Sequence, residues 1–135
     1  EIRRSDWSSD VCSSDLRAAL TGGRPTIYGD GSQSRDFTYV ENVVNANLLA
    51  AKSRSGVGET MNIACGRSFT VLETLEGICE MAGTVCDPIF AAPRPGDVRH
   101  SLASIDKARE LIGYDVSVGF EEGLRRTVDY YRSAF

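Results

Sequence analysis

Along this chain the apolar residues switch back and forth between a period of about two and one of about 3.6, so strands and helices must alternate. Arg17–Leu20 reads as the last turns of a helix closed by Gly22-Gly23. Pro25-Thr26-Ile27-Tyr28 carries a short strand signal. Gly29-Asp30-Gly31-Ser32 behind it is a turn, since two glycines flanking an aspartate permit positive φ. Asp36-Phe37-Thr38-Tyr39-Val40 reads as a second strand, rich in aromatic and β-branched residues. From Glu41 the spacing turns helical: Val44, Leu48 and Ala51 recur, with Val40 one turn earlier, and predict a helix to about Lys52. Glu59–Ala64 reads as a third strand. Thr70 and Glu73 form a capping box, after which Leu72, Leu75, Ile78, Cys79 and Ala82 line one helical face and Gly83 ends it. Val85–Ala92 is extended, and Pro93-Arg94-Pro95-Gly96-Asp97 is a rigid turn. Ser104 caps a short helix that Gly113 stops, and Phe120, Leu124, Val128 and Tyr131 mark a last amphipathic helix. Alternating strands and helices predict an α/β or α+β class.

Residues Asp6–Leu16 read D-W-S-S-D-V-C-S-S-D-L, which is what one frame of a common sequencing-library adapter gives when translated. We read residues 1–16 as adapter text and leave them out of the fold argument. Residues 17–135 are then expected to be the C-terminal piece of a longer protein.

Charge narrows the function classes. The 135-residue chain has a net charge of -4, a pI near 5.0 and no basic cluster, which argues against a nucleic-acid surface. No apolar run approaches the roughly 20 residues of a membrane span. Cys65, Cys79 and Cys86 contain no C-x-x-C pair, and His100 is alone, so structural zinc is not expected. The thiols read as small buried hydrophobes of a reducing compartment.

Three segments could carry chemistry. Arg35 enters a strand just after the glycine turn. Arg94 lies in a Pro-x-Pro-Gly turn that would hold it in a set direction. Tyr28 ends a strand beside Gly29. Each has a plain structural reading when taken alone. Two arginines held on rigid turns nevertheless suit a dianionic ligand, because guanidinium forks match phosphate oxygens. No glycine fingerprint for a dinucleotide follows a strand and opens a helix, and no tyrosine has a lysine four places on.

Pro25–Gly31, Arg35–Val40, Met61–Gly66, Arg94–Ser101 and Ser104–Tyr114, in this order and spacing, resemble the C-terminal part of the extended short-chain dehydrogenase/reductase (NAD-dependent epimerase/dehydratase) family. The resemblance covers nearly all of 17–135 and looks nearest to bacterial UDP-sugar 4-epimerases. It implies an α/β fold, the C-terminal substrate-binding portion of an extended Rossmann-type enzyme whose dinucleotide-binding portion lies elsewhere. It implies NAD as cofactor, bound outside this chain, and a Tyr-x-x-x-Lys pair also outside it. Hydride would leave sugar C4 for NAD, the 4-keto sugar would turn over, and hydride would return to the other face.

Carried onto this chain, the resemblance makes Arg35 and Arg94 diphosphate-binding residues. It places Thr26 and Tyr28 at the uracil, and Ser101 where residue size governs room for an N-acetyl group. The implied substrate is a UDP-hexose or UDP-N-acetylhexosamine. The implied parent is a cytoplasmic homodimer, with neither nucleic acid nor membrane as partner. Two other readings stay open: a nucleotide-sugar dehydratase or decarboxylase of the same family, and a non-catalytic nucleotide-sugar-binding module. His100 is expected to be structural, and Asp36 and Asp97 to organise loops. The chain alone is expected to fold poorly and to be inactive, with the Val44/Leu48/Ala51 face lacking a partner.

Overall fold

A computed structural model of the chain describes residues 13–134. The part of the adapter reading that falls on residues 1–12 lies outside the described residues; residues 13–16 open the first helix. The elements are α1 (Ser13–Thr21), β1 (Thr26–Tyr28), β2 (Ser34–Arg35), α2 (Val40–Lys52), β3 (Phe69–Thr70), α3 (Val71–Ala82), β4 (Ile89–Ala91), α4 (Asp106–Ile112) and α5 (Phe120–Ala134). The class is α/β, as the alternating periods predict. The chain divides into two compact units.

The first unit runs to Gln33, resumes over Thr70–Arg99, and takes up the chain again from Arg125. Its β1 and β4 run parallel, with Thr26 opposite Ile89, Ile27 opposite Phe90 and Tyr28 opposite Ala91. The ladder continues at both ends, as Ile89 N–H donates to Pro25 O (2.8 Å) and Gly29 N–H to Ala91 O (2.9 Å). Helix α1 packs on α3, and Leu16, Ala19, Ile27, Val71, Leu75, Ile78 and Cys79 supply the buried apolar surface. The capping box forms as predicted. Thr70 Oγ1 accepts from Glu73 N–H at 3.0 Å, and Glu73 Oε2 accepts from Thr70 N–H at 2.8 Å. Gly83 closes α3 at φ 73°, the left-handed region that favours glycine. Of the expected apolar face, Leu75, Ile78 and Cys79 are buried; Val71 and Thr74 join them, and Leu72 is only half-buried. Burial and the neighbouring Cys79 thiol push the Cys86 thiol up to about 11.

The second unit holds Ser34–Phe69 and His100–Leu124. Ala46, Ala64, Ile105, Ala108, Ile112 and Tyr114 form its core, with the Tyr114 hydroxyl donating to Ala64 O at 2.8 Å. Gly113 ends α4 in the left-handed region, as read from the sequence.

Two expected strands do not form. Asp36–Val40 is not extended ladder, since strand pairing stops at Arg35 and α2 already begins at Val40. The cause is Asp36. Its carboxylate accepts from Cys65 N–H (2.8 Å) and Gly66 N–H (2.9 Å), so a side chain takes the amides a neighbouring strand would have offered. Asp36 is thus the loop organiser expected. Glu59–Ala64 likewise forms no strand and packs as a loop through Met61, Ile63 and Ala64. Helix α2 buries Asn42 and Ala46, whereas Val44 and Leu48 are 50% and 55% exposed.

Candidate functional site

Strands β1 and β4 end side by side, and their carboxyl ends open into a cleft of about 670 Å³ lined by Tyr28, Gln33, Phe90, Ala91, Pro93 and Arg94 among others. That volume is in the range of small-molecule sites. In parallel α/β sheets, ligands sit where strands give out at their carboxyl ends, because the turns there are free to vary.

Two residues legible in the sequence meet in the cleft. The Arg94 guanidinium lies over the Tyr28 ring, 3.9 Å from its centroid. A guanidinium is planar and weakly hydrated, so it stacks on an aromatic face while its N–H groups point outward in the plane of the group. The turn behind Arg94 is closed by Asp97 N–H donating to Arg94 O at 3.3 Å. Thr26 sits two residues before Tyr28 on β1, half-buried, and is not part of the cleft lining.

The glycine turn forms the adjoining wall. Asp30 Oδ1 accepts from Ser32 N–H (2.9 Å) and from Ser32 Oγ–H (2.6 Å), closing the turn on itself. These bonds, with Arg99 at 4.0 Å as a lesser cause, hold the Asp30 carboxyl below its ordinary value of 3.8. Gly31 stands at φ 80°, and a Cβ there would come within 3.0 Å of Leu72 Cβ, so the turn needs glycine on two counts.

Arg35 and Ser101 belong to the second unit, where one atom brings them together. The Ser34 carbonyl accepts from Ser101 N–H (2.9 Å) and from Arg35 Nη1 (2.9 Å). Ser34 Oγ also pairs with His100 Nδ1 at 3.0 Å. Arg35 is half-buried and Ser101 exposed.

Sequence reasoning missed Gln33 and Ser34. Gln33 is 6% exposed and lines the cleft; its Nε2 donates to Tyr28 O at 2.7 Å. Neither residue sits in a periodic pattern, and a buried Gln leaves no compositional trace. The one available signal was position, since both lie between the glycine turn and Arg35. Among the described residues no cluster of His, Cys, Asp or Glu could hold a metal ion. No helix among them is long and apolar enough to cross a membrane.

Fold and cleft together define an α/β protein with an aromatic-and-arginine site at the carboxyl ends of parallel strands, a site suited to an anionic ligand that carries a ring. The chain belongs to the NAD dependent epimerase/dehydratase family, whose model matches residues 3–64. Over 116 residues, 85% of this chain and 37% of the relative, it is 36% identical to a UDP-glucose 4-epimerase of Mycolicibacterium smegmatis. A structure of the UDP-glucose 4-epimerase of Thermotoga maritima with UDP-glucose superposes at a TM-score of 0.85 and 40% identity, over 90% of this chain and 38% of that one. A UDP-N-acetylglucosamine 4-epimerase of Methanobrevibacter ruminantium, in complex with UDP-N-acetylmuramic acid, matches at a TM-score of 0.84 and 36% identity, over 96% of this chain and 42% of that one. The chain thus spans little more than a third of the length of the curated relative.

Proposed function

We propose that this chain is the nucleotide-sugar-binding portion of an NAD-dependent epimerase that interconverts UDP-hexoses or UDP-N-acetylhexosamines at C4. The observation that carries the reading is the Arg94 guanidinium stacked on the Tyr28 ring at the mouth of the cleft. A diphosphate meets the guanidinium edge, and the base packs along the β1 end, where Thr26 and Tyr28 offer main-chain groups. Arg35 supplies a second cation to the diphosphate. Ser101, being small, leaves room for an N-acetyl group. The named relatives, epimerases of UDP-glucose and UDP-N-acetylglucosamine, support the same reading.

The residues described here do not fit NAD. The glycine turn 29–31 leads into β2 rather than into a helix start, so it lacks the amide array that receives a pyrophosphate. In the proposed enzyme, NAD and the proton-transferring pair are held by other residues. The enzyme is taken to work in the cytoplasm as a homodimer.

Calorimetric titration of the complete enzyme with UDP and UDP-glucose tests the binding part. Saturable binding that Arg94→Ala weakens about tenfold or more supports it, that being the order expected from losing a stacked, charge-paired guanidinium. Absence of binding, or equal binding by the variant, sinks it.

A further inference from the structure

We propose that Cys79 and Cys86 are a dithiol that peroxide closes into a reversible disulfide, stapling the last turn of α3 to the chain entering β4. The backbone brings the pair together. Cys79 lies in the last turn of α3, and its carbonyl accepts from Thr84 N–H at 2.9 Å. Gly83, in the left-handed region at φ 73°, permits that return, so the chain folds back over the turn it has just left. Cys86 follows two residues after Thr84, and its thiol hydrogen-bonds with that of Cys79. Cys65, the third free thiol among the described residues, instead has Asp36, Thr38 and Asn42 as side-chain neighbours.

The two thiols differ in access. Cys79 is 2% exposed and Cys86 is half-buried, so a dissolved oxidant meets Cys86 first. Hydrogen peroxide takes the Cys86 thiolate to a sulfenic acid and departs as hydroxide. The Cys79 sulfur then attacks the Cys86 sulfur, the S–S bond forms, and the sulfenic hydroxyl leaves as water. In sum, two thiols and one peroxide give one disulfide and two waters; each sulfur loses one electron and the peroxide gains two. Burial first, then the Cys79 thiol, with Glu76 and Asp87 adding to them, push the Cys86 thiol up to about 11. Thiolate is therefore scarce at neutral pH, and the pair stays reduced until peroxide accumulates.

Both ends of the staple lead to the cleft. At the start of α3, Val71 N–H and Leu72 N–H donate to Gln33 O and Gly31 O and so hold the glycine turn. Strand β4 carries Phe90 and Ala91 into the cleft wall. In the reduced chain the entry to β4 is tied by the Arg24–Asp87 pair at 2.8 Å, an exposed ion pair of the kind that contributes little. A disulfide closing the loop 79–86 replaces that tie with a covalent one.

Peptide mapping of the complete enzyme tests this. No Lys or Arg lies between Arg67 and Arg94, and Pro95 blocks cleavage after Arg94, so trypsin releases both thiols in one peptide, 68–99. Hydrogen peroxide should leave its two cysteines lighter by two hydrogen atoms, and dithiothreitol should restore them. Hydrogen exchange over 84–91 should slow severalfold in the oxidised enzyme and recover on reduction. Cys86→Ser should abolish both changes. Cysteines that stay free, take up oxygen or link to another peptide overturn the proposal. So does an exchange change that persists in Cys86→Ser, or a disulfide that leaves exchange over 84–91 as it was. Cys79→Ala repeats the comparison should Cys86→Ser lose its cooperative heat melt.

Discussion

Asn42 and Val118 hydrogen-bond each other twice. Val118 N–H donates to Asn42 Oδ1 at 3.0 Å, and Asn42 Nδ2 donates to Val118 O at 2.7 Å. Asn42 Oδ1 also accepts from Ser117 N–H at 3.1 Å and Ser117 Oγ–H at 2.9 Å, and the side chain is fully buried. One helical side chain thus stands in for a neighbouring strand. Asn42→Leu keeps the branching and heavy-atom count but strands two amides and a carbonyl, each at about 1–3 kcal/mol. A urea melt should show a loss of roughly 3 kcal/mol or more in stability, and Asn42→Asp should recover part of it through the surviving acceptor.

Gly31 is expected to be intolerant of even one carbon. Gly31→Ala must hold a left-handed backbone, at about 1–2 kcal/mol, and also push on Leu72 at 3.0 Å. The melting temperature should fall. Nucleotide affinity should fall with it, because this turn borders the cleft. The contrasting substitution Gly58→Ala, also at positive φ but with nothing within 4 Å of the new carbon, should lower stability alone.

The capping box gives a pH signature. The Thr70 backbone amide, and then its hydroxyl, hold the Glu73 carboxyl below its ordinary value of 4.5. A carboxyl whose folded value is lowered adds stability that is whole above the unfolded value and fades as pH falls through the folded one. Glutamine still accepts the same bonds but does not titrate. The melting temperatures of the parent chain and Glu73→Gln, followed from pH 6 down to pH 3, should therefore converge toward the acid end. Parallel curves would mean that the carboxylate contributes nothing there.

Ser101→Tyr, made in the complete enzyme, should raise KM and lower kcat for the N-acetylated substrate while sparing the plain hexose. Ser101 N–H donates to the Ser34 carbonyl at 2.9 Å, a main-chain bond that a change of side chain leaves intact. Equal effects on both substrates would end the size argument.

The parts of the structure legible in the sequence are those with local causes. Thr70 with Glu73, and the glycines at 83 and 113, act within one turn of themselves, and all appear where read. Tyr28 and Arg94 are legible through the rigid turns beside them, and they meet because two short strands end together. The failures are non-local. Nothing near Asp36 says that amides about thirty residues later will claim its carboxylate, and so the β-rich composition of 36–40 misleads. The Val44/Leu48 spacing correctly marks a helix, but periodicity does not say that the face buried within this chain is the one holding Asn42 and Ala46. Gln33 and Ser34 act through a buried amide and a shared carbonyl, and neither property has a sequence period.

The bonds at the start of α3 carry one more consequence. A helix start is a ready anion site only while its first amides are unclaimed. Here Val71, Leu72 and Glu73 already donate to Gln33 O, Gly31 O and Thr70 Oγ1. The first amides of that helix are taken up, and in the proposed reading the charge of the nucleotide falls to the exposed Arg94 guanidinium instead of a backbone cradle. Affinity built that way is exposed to screening by dissolved salt, so the tightness of the site should vary with the ionic composition around it far more than a backbone cradle would allow.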